Sequence, residues 1–127
     1  MKLNTWAYVD NLDEAVEFYQ KVFDASVGEN WKHQDGTYEI CEIVIHTGAS
    51  FYLAERKGES AIEGPVNTGN IMQMVLIYGK ASTAKLEKAY EILKEGANVR
   101  QPLRAEEWTT HSCDLTDKYG VRWCLMA

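Results

Sequence analysis

The sequence predicts an α+β domain built from two similar halves, each with the order strand, helix, three strands. One observation is a repeat, because "CEIVIHTGASFYLA" (41–54) aligns without a gap with "CDLTDKYGVRWCLM" (113–126). A second is that "LDEAVEFYQ" (12–20) aligns with "LEKAYEILK" (86–94), and both stretches have apolar residues at helical spacing. A duplicated module accounts for both repeats.

Composition limits the classes of partner. The chain has 127 residues, enough for one domain, and a formal net charge of −6, which disfavours binding to the phosphates of nucleic acids. No apolar run approaches the roughly 20 residues of a membrane span, and the N-terminus lacks the pattern of a signal peptide. Three cysteines without a CxxC pair suit a reducing compartment. We therefore expect a cytoplasmic protein without nucleic-acid or membrane partners.

The first half begins with "LNTWAYV" (3–9), whose alternating pattern predicts a strand. The helix follows in "NLDEAVEFYQKVFDA" (11–25), where Asn11 is the expected N-cap and Glu14 its capping-box partner. The remaining strands of this half are predicted at 27–32, 38–47 and 50–55, the last two around a turn at Thr47-Gly48.

The second half begins with "IMQMVLIY" (71–78), which is apolar enough for a strand buried on both faces. Its helix is predicted in 82–96, with Ser82 or Thr83 as the N-cap and Gly96 at the end. A further strand should follow the helix. The last two strands are predicted in 111–117 and 121–127, around a turn at Tyr119-Gly120.

A glycine-rich stretch with one proline, "ERKGESAIEGPVNTGN" (55–70), indicates a connector between the halves. We place the first module at about 1–56, the linker at about 57–69 and the second module at about 70–127. Together they are expected to form one domain over 1–127.

Three stretches, "AVEFYQKVFDA", "EILKEGANVRQPL" and "DKYGVRWCL", are similar to the vicinal oxygen chelate superfamily, and most similar to its PhnB-like branch. That superfamily includes glyoxalase I, extradiol dioxygenases and bleomycin-resistance proteins. The resemblance implies a U-shaped mixed sheet of two βαβββ modules with the helices outside and the ligand inside. It also implies a homodimer. Because one scaffold supports many chemistries, the resemblance alone does not predict a reaction.

Members of this superfamily that use a metal bind it through His, Gln or Glu in the first and last strands of each module. The corresponding positions here are Asn4, Tyr52, Gln73 and Cys124. A phenol, a thiol and two neutral amides lack the charge that a divalent cation requires. We therefore expect no cofactor.

Aromatic residues are the better indication of a ligand site. Trp6 and Tyr8 share a strand face with Asn4, and Tyr52 lies on the corresponding face of its own strand. An aromatic lining with a few polar groups suits a planar or apolar small molecule. The alternative is that these bulky side chains fill the cavity.

The second module offers three further candidates. Trp108 lies in the predicted loop "LRAEEWTTH", where it would contact either a ligand or another subunit. Strand alternation directs Trp123 and Leu125 toward the helix and directs Arg122 and Cys124 to the opposite face. Beside Arg122, the Cys124 thiol is either a nucleophile with a lowered pKa or an inert packing residue.

The sequence contains no catalytic triad, phosphate-binding glycine loop or zinc spacing, and no glycine motif for a methyl donor. The leading hypothesis is a metal-free protein of the glyoxalase and bleomycin-resistance type that binds a small aromatic or amphipathic molecule, with no reaction assigned. One alternative is a metal-dependent lyase, isomerase or dioxygenase that brings His46 or His111 into the cavity beside Glu55 or another carboxylate. Another is a regulatory or scaffold dimer with a filled cavity. The predicted ligand-binding residues are Asn4, Trp6, Tyr8, Tyr52, Gln73, Trp108, Arg122 and Cys124.

Overall fold

The computed structural model describes residues 1–46, 48–56 and 72–127. The chain divides into two compact units, Met1–Val66 and Asn67–Ala127. The predicted linker at 57–69 lies outside the described residues, as do Thr47 and the first residue of the strand predicted at 71–78. The module boundaries therefore remain a prediction.

The first unit contains one helix and a four-stranded mixed sheet. Its elements are β1 (Trp6–Val9), α1 (Leu12–Phe23), β2 (Ser26–Lys32), β3 (Tyr38–His46) and β4 (Ala49–Glu55). The strand order is β1-β4-β3-β2, with β1 parallel to β4 and the other neighbours antiparallel. A helical connection is what allows the first strand to run parallel to the last.

The second unit repeats this arrangement. Its elements are β5 (Met74–Ile77), a 3₁₀ turn (Lys80–Ser82), α2 (Thr83–Leu93), β6 (Asn98–Glu106), β7 (Thr109–Thr116) and β8 (Arg122–Met126). The strand order is β5-β8-β7-β6, with β5 parallel to β8. The α+β class and the two βαβββ modules predicted from the sequence are confirmed.

The N-terminus of α1 is a capping box, as predicted. The Glu14 backbone N–H donates to Asn11 Oδ1 over 3.3 Å, and Asn11 Nδ2 donates to Glu14 Oε2 over 3.1 Å. The helix ends at Asp24, which has the left-handed conformation with φ of 50°. The buried face of α1 consists of Leu12, Ala15, Val16, Tyr19, Val22 and Phe23.

The start of α2 differs from the expectation. Ser82 is the N-cap, but its side chain makes no capping hydrogen bond. The reason is that a 3₁₀ turn precedes the helix, and the Ser82 N–H donates to the Gly79 carbonyl within it. Gly96, with φ of +70°, follows the helix as predicted.

The core of the first unit lies between α1 and its sheet. The Tyr19 ring packs edge-on against Phe51, with centroids 5.4 Å apart, so alternate residues of β4 face the helix. The other face of this sheet is not covered by α1, and we call it the first open face. The strand register assigns to it Trp6, Tyr8, Trp31, Ile40, Glu42, Val44, Ser50, Tyr52 and Ala54.

The second unit has the same two-sided organisation. Trp123 and Leu125 are buried, and they pair with Leu115 and Cys113 on the side that α2 packs against. This confirms the predicted alternation in β8. The opposite side, the second open face, includes Val75, Ile77, Gln101, Arg104, Ser112, Asp114, Thr116, Arg122, Cys124 and Met126.

The turn before β8 is held by a buried carboxylate. Asp117 Oδ1 accepts hydrogen bonds from the backbone N–H groups of Tyr119 (2.9 Å) and Val121 (3.0 Å). Asp117 Oδ2 accepts one from the Trp123 indole N–H (2.9 Å). A single side chain thereby fixes the turn and the largest buried ring of the unit.

The first strand of each half is shorter than predicted. The strand expected at 3–9 begins at Trp6, and the one expected at 71–78 begins at Met74. Asn4 and Gln73 therefore precede the regular strands. Among the described residues, none of the helices has the length and apolar character needed to cross a membrane.

Candidate functional site

An aromatic pair lies at one edge of the first open face. Because β1 runs parallel to β4, Trp6 and Tyr52 are direct neighbours across the two strands. Their rings stack with centroids 5.1 Å apart and an angle of 9° between the planes. Tyr52 is buried, whereas Trp6 remains 39% exposed. The prediction that these residues share one face is confirmed.

A second row on this face runs from edge to edge of the sheet. Tyr8 pairs with Ala54, Ala54 with Ile40, and Ile40 with Trp31, which is 50% exposed. The row therefore has an aromatic side chain on each edge strand and two aliphatic side chains between them. Ala54 is fully buried, so a ligand on this row would contact Ile40 and the two aromatic side chains.

Trp31 was not identified from the sequence, and a β-bulge is the reason. Two residues lie between Val27 and Asn30, while only one lies between their partners Ile43 and Cys41. Strict alternation from Val27 would have turned Trp31 toward α1. The extra residue reverses this and places it on the first open face. An irregularity of this kind leaves no clear signal in a single sequence.

Two carboxylates on this face, those of Glu29 and Glu42, were also not predicted from the sequence as site residues. The Tyr52 hydroxyl donates to Glu29 Oε2 over 2.9 Å. Glu42 Oε2 accepts from the Glu29 backbone N–H (3.1 Å), and Glu42 Oε1 accepts from the Ser50 hydroxyl (2.8 Å). The sequence pairs Glu42 with Asp114 but assigns neither a functional role.

These bonds shift two pKa values in opposite directions. The Ser50 hydroxyl and the Glu29 N–H stabilise the carboxylate form and lower the pKa of Glu42. The bond to the Glu29 carboxylate favours the protonated phenol and, with burial, raises the pKa of Tyr52 to about 12. At neutral pH, Glu42 is thus an acceptor of hydrogen bonds, and Tyr52 is a donor.

The Glu42 carboxylate can lie against β2 because residue 28 has no side chain. A Cβ atom on Gly28 would be 2.3 Å from Glu42 Oε2 and 2.9 Å from Val44 Cγ2. Both separations are well inside van der Waals contact. The glycine therefore permits the polar contacts that position Glu42.

On the second open face, Cys124 occupies the position equivalent to Tyr52. It pairs with Val75 on β5 and with Asp114 on β7. Burial, and then the charge of Asp114, raise the pKa of the Cys124 thiol, and Arg122 opposes this less strongly. This direction favours the interpretation of Cys124 as an inert packing residue over that of a nucleophile.

The sequence repeat is preserved as a side-chain interaction. In the first unit Glu42 accepts a bond from Ser50, and in the second the equivalent Asp114 accepts two bonds from Arg122. The Arg122 Nε and Nη2 atoms lie 3.3 and 3.1 Å from the two Asp114 oxygens. At equivalent positions, the donor to the carboxylate is thus a hydroxyl, Ser50, in the first unit and a guanidinium, Arg122, in the second.

The remaining predicted residues lie outside the strands. Asn4 and Gln73 come just before β1 and β5, and Trp108 lies in the turn between β6 and β7, where it is 64% exposed. The structure thus brings together Trp6, Tyr8 and Tyr52 in the first unit, and Arg122 with Cys124 in the second.

The residues at the expected metal positions do not fit a divalent cation. Tyr52 is engaged with Glu29, and the neighbours of Tyr52 and Cys124 on β1 and β5 are Trp6 and Val75, neither of which is a ligand. Their neighbours on β3 and β7 are the carboxylates Glu42 and Asp114, which are engaged by Ser50 and Arg122. Within 1–46, 48–56 and 72–127, no group of three or more His, Cys, Asp or Glu residues is arranged to hold a metal ion.

The histidine that lies beside Glu55 is His33, whereas the alternative hypothesis named His46 or His111. Glu55 Oε1 lies 2.9 Å from His33 Nε2, and His111 Nε2 lies 3.1 Å from Glu87 Oε1 on α2. His46, at the far end of β3, pairs with Ala49. Each of the two histidine contacts joins two segments of the same unit.

Comparison with known proteins gives a family and a set of similar folds. Residues 3–125 match the family model of the Glyoxalase/Bleomycin resistance protein/Dioxygenase superfamily. No curated protein matches the chain at a significant level.

Three solved structures illustrate the similarity of fold. A PhnB protein from Bacillus cereus, whose name also carries a 3-demethylubiquinone-9 3-methyltransferase label, has 19% identity and a TM-score of 0.76, covering 99% of this chain and 98% of its own. TioX from Micromonospora sp. ML1 has 16% identity and a TM-score of 0.69, with coverages of 99% and 94%. The fosfomycin resistance protein FosX from Mesorhizobium loti has 16% identity and a TM-score of 0.60, with coverages of 100% and 91%.

Proposed function

Because the chain belongs to the Glyoxalase/Bleomycin resistance protein/Dioxygenase superfamily, we propose that it binds a small aromatic or amphipathic molecule on the first open face. The superfamily does not itself define the activity, since one scaffold supports many functions. The observation that carries the proposal is the pair of aromatic rows on this face, Trp6 with Tyr52 and Tyr8 with Trp31.

The exposure of these rings supports a ligand. Trp6 and Trp31 are large apolar side chains on edge strands, and they expose 39% and 50% of their surface. Exposed apolar surface of this kind is a mark of binding sites. A stacked aromatic contact adds about 0.5–1.5 kcal/mol beyond the burial of area. A planar ligand that stacks on Trp6 or Trp31 would gain this contribution.

The carboxylates beside the rings give the proposed ligand a polar end. Glu42 and Glu29 are acceptors, so a ligand with an N–H or O–H donor beside its apolar body fits this face best. Sequestration of this ligand without a chemical reaction requires no catalytic groups in addition to these side chains. The methyltransferase label of the Bacillus cereus protein is not part of this proposal.

A panel of neutral and donor-bearing aromatics, such as indole, tryptamine and phenol, tests the proposal through thermal stabilisation of the full chain. A ligand that binds only the folded state raises its apparent stability by mass action. We expect Trp31→Ala and Trp6→Ala to weaken binding about tenfold, the loss of roughly one stacked ring. Tyr119→Ala, an aromatic substitution in the β7–β8 turn, is the matched control. No stabilisation by any aromatic ligand would contradict the proposal and favour a scaffold with a filled cavity.

Metal content separates the proposed binder from a metal-dependent enzyme. The donor set of Asn4, Tyr52, Gln73 and Cys124 supports a metal-free protein. We expect less than about a tenth of an equivalent of bound transition metal per chain after incubation with zinc, nickel, iron or manganese. About one equivalent would overturn the metal-free part of the proposal and favour a lyase, isomerase or dioxygenase.

A homodimer in the cytoplasm completes the proposal. Membership of the superfamily supports the dimer, and light scattering coupled to size exclusion tests it directly. A monomer at all concentrations would contradict the dimer without affecting the test of ligand binding. Exclusion of a fluorescent fusion from the cytoplasm would contradict the location.

A further inference from the structure

The turn between β2 and β3 contains an Asp-Gly step. Of the six aspartates in the sequence, only Asp35 is followed by glycine, and glycine follows none of the asparagines. An aspartate before glycine is especially prone to cyclise, because glycine has no side chain to shield its amide nitrogen from the neighbouring carboxyl group. Asp35 and Gly36 are both exposed. This step is therefore the position in the chain at which cyclisation is most favoured by sequence.

The reaction at such a step is intramolecular and needs no cofactor. The Gly36 nitrogen attacks Cγ of Asp35 in its acid form, the N–Cγ bond forms, and the amide proton leaves with the carboxyl hydroxyl as water. Water then adds to one carbonyl carbon of the succinimide ring and breaks the C–N bond there. Opening at Cγ restores aspartate, whereas opening at the backbone carbonyl carbon of Asp35 gives isoaspartate. The mass of the chain is unchanged by the two steps together.

The turn leaves space for this ring. Gly36 has φ of +87°, and in the described part of the chain no atom outside residues 35–37 lies within 4 Å of the position that a Cβ atom would occupy. The turn also lies at the tip of a hairpin, where local opening costs less free energy than global unfolding. Cyclisation at Asp35 therefore requires no disturbance of the core.

Hydrogen bonds within the native turn oppose the reaction. The attacking nitrogen is engaged, since the Gly36 N–H donates to the His33 carbonyl over 3.0 Å. The carboxylate is also held, because Asp35 Oδ1 accepts from the Thr37 hydroxyl (2.6 Å) and from the Thr37 N–H (2.9 Å). The hydroxyl, and then the N–H, lower the pKa of Asp35 and so reduce the fraction of the acid form that can lose water.

The same turn is linked to the end of β4. The His33 N–H donates to the Thr37 carbonyl over 2.9 Å and closes the turn, while His33 Nε2 lies 2.9 Å from Glu55 Oε1. Isoaspartate at position 35 adds one atom to the main chain between His33 and Thr37. A longer turn cannot keep this pairing unchanged, and the His33 ring depends on it for its position beside Glu55.

We propose that Asp35 is the site of spontaneous isoaspartate formation in this protein, and that the hydrogen bonds of the native turn restrain the reaction until the turn opens. The modification lengthens the β2–β3 turn and separates His33 from Glu55. The site lies in a turn rather than on either open face, and it does not depend on the function proposed above.

Incubation of the full chain at body temperature and neutral pH tests the site. Digestion with a protease that cleaves before aspartate but not before isoaspartate, followed by peptide mapping, measures the conversion of residue 35. We expect conversion in the folded wild type, and conversion at least about tenfold faster in the same chain unfolded in guanidinium chloride, where several hydrogen bonds of the turn are absent. Thr37→Val should convert about fivefold faster than wild type, the scale of one net hydrogen bond.

Two further variants control this measurement. Asp35→Glu should show no conversion, because its cyclisation requires a six-membered ring that forms far more slowly. Thr5→Val, which changes an exposed threonine before β1, should convert at the wild-type rate. Absence of conversion at Asp35 in the folded wild type and in Thr37→Val, over a period that converts the unfolded chain, would overturn the proposal, as would faster conversion at another aspartate. Equal rates in Thr37→Val and Thr5→Val would overturn the restraint by the native turn.

Chemical unfolding of the purified isoaspartate form tests the structural consequence. We expect a lower unfolding midpoint than that of the unmodified protein. In a His33→Ala background the contact with Glu55 is already absent, so the modification should lower the midpoint by a smaller amount. An unchanged midpoint in the wild-type background, or an equal decrease in both backgrounds, would overturn the separation of His33 from Glu55.

Discussion

The Tyr52 hydroxyl donates a 2.9 Å hydrogen bond to the Glu29 carboxylate and so links β4 to β2 across the intervening strand β3. Ionisation of the phenol would place two negative charges at that distance. The pKa of Tyr52 is accordingly raised to about 12. The bond fixes the ring on which Trp6 stacks, and it therefore connects the polar and aromatic parts of the first open face.

Replacing Glu29 by glutamine should lower the pKa of Tyr52 from about 12 toward its ordinary value of 10.0, because the neutral acceptor repels the phenolate less. Since the folded pKa is the higher one, the bond's contribution to stability is complete below about pH 10 and is lost as the pH rises toward 12. Nuclear magnetic resonance of Cζ-labelled tyrosine measures the titration. Ser50→Ala, which affects Glu42 instead, is the control, and an unchanged Tyr52 titration in Glu29→Gln would contradict the assignment.

Gly28→Ala should destabilise the protein by about 1–3 kcal/mol, because the new methyl group overlaps Glu42 Oε2 and Val44 Cγ2. Chemical unfolding of the wild type and the variant measures this free energy. In a Glu42→Ala background the carboxylate is absent, so the cost of Gly28→Ala should fall by at least about 0.5 kcal/mol. Equal costs in both backgrounds would place the clash on Val44 alone.

Asp117→Asn should destabilise the second unit by about 1–3 kcal/mol, although the two side chains have nearly the same shape. With Oδ1 held by the backbone N–H groups of Tyr119 and Val121, the amide NH₂ would face the Trp123 indole N–H, donor against donor. Unfolding measurements give the free energy. In a Trp123→Phe background the effect should shrink, and an undiminished cost would show that the turn bonds dominate.

All three thiols should have low reactivity at neutral pH, with Cys124 the most accessible of them. Burial is the main reason that the pKa values of Cys41 and Cys113 are raised to about 11, and it also raises the pKa of Cys124. We expect Cys124, the one thiol that is not fully buried, to react first with a disulfide reagent at about pH 8, and the other two only after unfolding. Rapid modification of all three thiols in the native protein would contradict the burial of Cys41 and Cys113.

The repeat made much of the fold accessible from the sequence. An ungapped alignment equates Tyr52 with Cys124, and the structure gives both the same neighbours: a first strand on one side and the acidic residue of the middle strand on the other. The capping box of α1 was predictable because it depends on Asn11 and Glu14, only three residues apart.

Features that depend on irregular pairing were not predictable. Trp31 reaches the first open face through a bulge, and Arg100 reaches Asp114 where the register of β6 shifts between Val99 and Gln101. The two-residue period that assigns faces fails at such points. Glu29 was missed for a related reason, since its role comes from a bond to Tyr52, 23 positions further along the chain.

Each sheet takes all its strands from one continuous stretch of the chain, and this has a consequence for synthesis. The first sheet is complete by Glu55, before Met74, the first residue of the second sheet, has been made. Translation adds about 5–20 residues per second, which gives the emerging half seconds in which to fold. The parallel partner of β1 is β4, which belongs to the same half. The edge of β1 can therefore pair before any strand of the other half has been made.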